Sequence, residues 1–160
     1  MSVSPEELKD SMRCWTTGVA IITSKLDREM QGMTVNSFIS ISIDPPLVAV
    51  TLANETRTKK LVDRSNIFGI TILSANQENL SDRFSGRIPD GENRFTDIQY
   101  FHLDSGVPLI TGGLAFLECT VIYKYPMKDS TLFIGEVQKT QNNFGNPLLY
   151  HNRQYRKIKD

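Results

Sequence analysis

The stretch from residue 30 to 43 carries no charge, yet it holds Thr34, Asn36, Ser37, Ser40 and Ser42. Each is a neutral hydrogen-bonding side chain, and the interleaved Val35, Phe38, Ile39, Ile41 and Ile43 mark strand rather than loop. Such a face can simply turn its hydroxyls to water. It can equally meet a flat, polar-edged heterocycle such as a flavin ring, which needs donors and acceptors along its edge and apolar flanks for its faces. Further along, Asn54-Glu55-Thr56-Arg57-Thr58-Lys59-Lys60 opens a helix with hydroxyls and cations. Free backbone N–H groups, the helix dipole and Arg57, Lys59 or Lys60 suit a phosphate there, although the same residues also serve as a solvated helix start. The two segments together point to a nucleotide-like ligand more strongly than either does by itself.

Other chemistries find little footing. There is no G-x-G-x-x-G, no G-x-x-x-x-G-K-[ST] and no G-x-S-x-G, so no Rossmann site, P-loop or nucleophile elbow is signalled. His102 and His151 stand far apart, and Cys14 and Cys119 form no zinc spacing, so no metal site is expected. His102 reads as structural, and both cysteines read as buried, reduced thiols. The 18 basic and 18 acidic residues cancel, which removes a global drive toward nucleic acid or an anionic membrane. No apolar run is long enough to span a bilayer, and the N-terminus lacks an export signal, so a cytoplasmic location is expected.

The elements that must position these residues are mostly strands. At ~150 residues per domain the chain makes one domain, here taken as 1–160. Its 14 Ile, 9 Val and 13 Thr against 5 Ala favour pleated, half-buried strands over a helix bundle. Ser4-Pro5-Glu6-Glu7 predicts a capped helix with Leu8, Met12 and Trp15 on one face, ended by Gly18. Strands are predicted over 19–23, through 32–43, and over 47–53, 66–73, 115–125 and 131–138. The 115–125 strand is expected to put Ala115, Leu117, Cys119, Val121 and Tyr123 on one face. Short helices are expected over 56–64 and 76–84, a turn over 26–31, and a mobile loop over 85–96. Connections too short for parallel crossovers argue for a mainly β, small antiparallel barrel with a few short helices.

Three strings give the chain a resemblance: Thr17-Gly18-Val19-Ala20-Ile21-Ile22-Thr23, then Gly32-Met33-Thr34-Val35-Asn36-Ser37-Phe38, then Ser42-Ile43-Asp44-Pro45-Pro46-Leu47. With Leu132-Phe133-Ile134-Gly135-Glu136-Val137 and Pro147-Leu148-Leu149-Tyr150 they resemble the flavin reductase-like family over residues 12–156. These are NAD(P)H:flavin oxidoreductases serving two-component monooxygenases, such as the reductase component of 4-hydroxyphenylacetate 3-monooxygenase. The resemblance implies an FMN-binding split β-barrel of Greek-key type and a homodimer with flavin near its interface. It also implies FMN (or FAD) reduced by NADH or NADPH, and delivery to a separate oxygenase component.

Carried over by position, Thr34, Val35, Asn36 and Ser37 line the isoalloxazine edge, with Ser40 and Thr51 beside them. Thr56, Arg57 and Thr58 hold the phosphate, and Lys59 is a reserve cation. Arg83 and Phe84 fall on the ribityl or adenine side, and Phe95 is a lid over the ring. The nicotinamide side is implied at Ser130, Tyr150, His151 and Arg153. One departure stands out: where the family often has a Gly-Asp-His turn, this chain has Lys128-Asp129-Ser130. Ser130 can donate a hydrogen bond but cannot carry charge, and His151 is the imidazole left on that side. No catalytic side chain is expected, because the cofactors carry hydride transfer themselves. A flavin-holding electron carrier and a non-catalytic dimerising barrel are the competing readings; an oxidase of the pyridoxamine phosphate type fits the motifs less well.

Overall fold

The computed structural model describes residues 2–87 and 93–159. The chain runs α1 (Pro5–Met12), β1 (Thr17–Gly18), β2 (Ala20–Leu26), β3 (Glu29–Val35), β4 (Ile39–Ser42) and β5 (Leu47–Ala53). Next come α2 (Arg57–Ser65), β6 (Ile67–Ile72), α3 (Glu78–Phe84), β7 (Tyr100–Phe101) and β8 (Leu109–Ile110). The long strands β9 (Ala115–Pro126) and β10 (Ser130–Asn142) follow, and the hairpin β11 (Leu149–His151) and β12 (Gln154–Arg156) ends the fold.

Seven strands form one antiparallel sheet in the order β3-β2-β6-β9-β10-β5-β4, so β3 and β4 are its edges. The architecture is mainly β. Among the described residues β3 and β4 do not pair with each other, so the ladder is not closed into a complete barrel. Inside the curl lie Ile22, Val50, Leu52, Phe68, Ile70 and Phe133, all but inaccessible. Phe68 fixes the register there. A Cβ on Gly135 would stand 2.5 Å from the Phe68 ring, so only glycine lets β10 cross it. A second core of Val19, Ile21, Leu73, Phe84, Phe95 and Leu148 joins the end of β2 to α3 and the C-terminal hairpin.

The local signals hold in several places. Ser4 Oγ accepts from the Glu7 N–H at 3.2 Å while Glu7 Oε2 accepts from the Ser4 N–H at 2.8 Å, the reciprocal cap that starts α1. The same backbone contact pulls the Glu7 carboxyl below its usual range. The helix ends at Met12 rather than at Gly18, and its apolar face is not buried by its own chain: Met12 and Trp15 are 53% and 66% exposed. The turn expected over 26–31 is only Asp27 and Arg28, because Glu29 already pairs with Leu26. In β9 Leu117, Cys119 and Val121 of the expected face pack on the first core, while Tyr123 is exposed. The opposite face is buried as well, Phe116 against Val107 and Leu109 and Glu118 beneath the loop over 103–105. Buried Glu118 takes the N–H groups of Leu103, Asp104 and Ser105 at 3.0–3.2 Å and anchors that loop. Cys14 is exposed, contrary to the expectation of two buried thiols, while Cys119 is buried as expected. Residues 88–92 of the loop expected over 85–96 lie outside the described residues. No helix among the described residues is long and apolar enough to cross a membrane.

Candidate functional site

The free edge of β3 faces α2 and α3, and along it runs a trough of three connected hollows. The first, ≈290 Å³, is lined by Thr34, Val35 and Asn36 on one side and by Ser81, Tyr150 and Tyr155 on the other. The central one, ≈360 Å³, shares Thr34 and Ser85 with the first and adds Thr56, Arg57, Thr58 and Phe84. The far one, ≈280 Å³, shares Gln31, Arg57 and Arg94 with the centre. Under the first hollow, Thr17, Asn36 and Phe38 line a smaller recess of ≈200 Å³.

Each wall has a local cause. Thr34 Oγ1 donates to the Ser81 carbonyl at 2.6 Å and so ties the strand edge to α3. A Cβ on Gly32 would meet the Phe84 ring at 2.9 Å, so glycine lets the second core rise against β3. At the trough's centre Thr56 caps α2, accepting from the Lys59 N–H at 3.3 Å and donating to the Ala53 carbonyl at 2.8 Å. The N–H groups of Arg57 and Thr58 are then left without intrahelical partners. Lys59 is held by Asp63 at 2.6 Å, and Lys60 stands 3.8 Å from Glu55. Among the described residues Arg57 forms no ion pair, which makes it the available cation at this helix start.

The opposite wall is the β11–β12 hairpin. Asn152 and Arg153 both take positive φ, 49° and 61°, and make the tight turn, so Tyr150 and Tyr155 face each other with ring centroids 5.8 Å apart. The Tyr155 hydroxyl donates to Asp82 Oδ1 at 2.8 Å and lies 2.7 Å from Ser81 Oγ; Arg87 pairs with the same carboxylate at 2.6 Å. Burial and then the Asp82 charge raise the Tyr155 pKa, so the phenol stays protonated and the clasp between hairpin and α3 persists at neutral pH. His151 Nδ1 is 2.8 Å from Thr16 Oγ1, which fixes the other side of the hairpin to the segment after α1.

The structure therefore gathers Thr34, Val35, Asn36 and Tyr150 about one hollow and Thr56, Arg57, Thr58 and Phe84 about the next. Several expected residues lie outside these hollows. Ser37 spends its hydroxyl on the Thr51 carbonyl at 2.8 Å, and Ser40 sits exposed on edge strand β4. Arg83 reaches the Thr96 carbonyl, and Lys59 is committed to Asp63. Phe95, expected as a lid, does line the far hollow, but it is 6% exposed and packs edge-on against Phe84 and Tyr100 at 5.2 and 5.7 Å, as part of the wall. Ser130 belongs to a turn stitched to Asn54, whose amide donates to the carbonyls of Met127 and Lys128. Arg153 does face the hairpin side, in a hollow with Trp15 and Tyr150. Sequence reasoning missed Ser81, Ser85, Arg87 and Tyr155. The signal for Tyr155 was present: Tyr150 and Tyr155 sit symmetrically about Asn152-Arg153, a hairpin spacing.

The family model for the flavin reductase like domain matches residues 12–159. The chain belongs to that family. It is 32% identical over 159 residues to an NADH-dependent flavin reductase of Rhodococcus sp, covering 98% of this chain and 88% of the relative. It is 29% identical over 154 residues to the reductase component of 4-hydroxyphenylacetate 3-monooxygenase of Thermus thermophilus, covering 96% of each. Among solved structures, the Streptomyces globisporus C-1027 NADH:FAD oxidoreductase SgcE6 superposes with a TM-score of 0.89 at 28% identity, over 100% of this chain and 98% of that one.

Proposed function

We propose that the chain is an NADH-dependent flavin reductase that supplies reduced flavin to a separate oxygenase component. The observation that carries this reading is the continuous trough, with neutral donors at one end and an unanswered cation at a helix start in the middle. The donor set fits a flavin. Asn36 makes no hydrogen bond among the described residues, and Thr17 Oγ1 is buried without a partner in the recess that Asn36 shares. Thr17 Oγ1, buried and unpaired, carries a cost that a ligand edge pairing it recovers, while Asn36 is exposed and open to a ligand. When bound, flavin and nicotinamide supply the hydride acceptor and donor, chemistry that belongs to the cofactors.

The chain's own work is binding and orientation. Asn36 and the β3 edge present donors to the ring's polar rim. Arg57, with the N–H groups at the start of α2, holds the phosphate. Val19, Val35 and Tyr150 exclude water from the ring hollow. The hairpin carrying Tyr150, His151 and Arg153 forms the side from which nicotinamide approaches. We further read the open, curled sheet as a split barrel completed by a second copy. Ile39, Ile41 and Ile43, 60%, 46% and 87% exposed along the β4 edge, give that copy an apolar strip to cover.

The test mixes the protein, flavin and NADH and follows absorbance at the nicotinamide band. Flavin-dependent NADH loss is expected, and Arg57→Ala should weaken flavin binding by at least ~10-fold, the loss of one charge-assisted contact. Tight flavin binding with no NADH loss would make the chain an electron carrier instead. Failure to bind flavin would overturn both.

A further inference from the structure

Of the described residues that line the ring hollow, Arg87 is the one charged at neutral pH. Its position has a local cause. After α3 the chain reverses at Gly86, φ 88°, and Arg87 folds back onto the helix it has just left. Arg87 Nη1 donates to Asp82 Oδ1 at 2.6 Å, and the Tyr155 hydroxyl donates to the same oxygen at 2.8 Å. Asp82 stands outside the lining, so the pair turns its cation to the hollow and its carboxylate away. A guanidinium has five N–H donors. The contact with Asp82 uses Nη1, which leaves N–H groups of Arg87 open to a ligand. An oxidised ring does not call for this charge, since Asn36 and the β3 edge already meet its neutral rim with neutral donors.

We infer that Arg87 makes the hollow selective for the redox state of the flavin, favouring the reduced ring over the oxidised one. The inference rests on the flavin reading above. NADH gives up a hydride, which is two electrons and a proton, and leaves as NAD+; the flavin ring accepts the hydride and gains one negative charge. Substrate and product of the same hollow therefore differ by one charge. A cation at the ring acts on that difference, whereas Arg57 meets a phosphate that is present in both states. The Arg87 side chain is 72% exposed and shares its charge with Asp82, so solvent and salt hold the effect to about fivefold.

The test is the midpoint potential of FMN held by an excess of the full-length protein at pH 8, where the added charge is not taken up by a solvent proton. A reference dye reads the potential, and quenching of flavin fluorescence confirms binding. Arg87→Gln should lower the potential by about 20 mV from the parent value, the two-electron equivalent of fivefold. Arg87→Lys keeps the cation and should stay near the parent. Salt at about 1 M should shrink the difference between parent and Arg87→Gln. An unchanged potential in an Arg87→Gln variant that still binds FMN would overturn the inference and leave the flavin reductase reading standing. An equal fall in the Gln and Lys variants would do the same. FMN that fails to bind the parent protein would remove both.

Discussion

Replacing Tyr155 with Phe removes one oxygen from the wall that closes the ring hollow. The hydroxyl makes two contacts, 2.8 Å to Asp82 Oδ1 and 2.7 Å to Ser81 Oγ, and both cross from the C-terminal hairpin to α3. A hydrogen bond to a charged acceptor is worth ~1.5–3 kcal/mol. Partial exposure, and Arg87 sharing the carboxylate, bring the expected loss nearer ~1 kcal/mol. The ring itself stays, since its edge-on contact with Tyr150 does not use the hydroxyl. Releasing the hairpin by ~1 kcal/mol lowers the ratio of closed to open arrangements on the proposed nicotinamide side about fivefold. The assay is steady-state kinetics at saturating flavin, paired with a flavin titration. The expected outcome for Tyr155→Phe is a KM for NADH raised by up to about fivefold, with kcat and flavin affinity near the parent values. An unchanged KM together with a lowered Tm would make Tyr155 purely structural. Flavin affinity falling in step with the KM would show that the clasp shapes the whole trough rather than its nicotinamide side. The pH dependence follows from the same bond. The folded pKa of Tyr155 lies above its ordinary value of 10.0, so its contribution is complete below pH 10 and is lost only as pH climbs through the raised value. A KM that drifts between pH 7 and 9 would therefore not come from this residue.

The two thiols should separate cleanly. Burial, with the Glu118 charge behind it, pushes the Cys119 pKa up to about 12, whereas Cys14 is exposed. Iodoacetamide at pH 8 should modify Cys14 alone in the folded protein and both cysteines in denaturant, as read by peptide mass; rapid native labelling of Cys119 would contradict the packing described. The exposed β4 strip predicts a dimer in sedimentation equilibrium, and Ile41→Lys should shift it toward monomer while the circular dichroism spectrum stays the same. A monomeric parent protein would leave the apolar strip without the second copy proposed for it.

Much of this arrangement was legible in the sequence because its causes are local. The α1 cap, the β5 strand at Leu47–Ala53 and the Thr56 start of α2 each follow from side chains within a few residues of one another. The gathering of Thr34 with Arg57 was also legible, through the motifs shared with the family. What escaped depends on contacts distant in sequence. Ser37 and Lys59 read as ligand-facing groups until Thr51 and Asp63 are found to occupy them. Phe95 reads as a lid until Phe84 and Tyr100 are found around it. A polar side chain is available to a ligand only when the fold has not already paired it, and pairing is set by residues far along the chain. The same criterion selects the groups that remain. Asn36, Thr17 and Arg57 are left unanswered along one trough, and that shared availability, more than the identity of any one of them, is the reason to place a polar-edged ring and its anionic tail there.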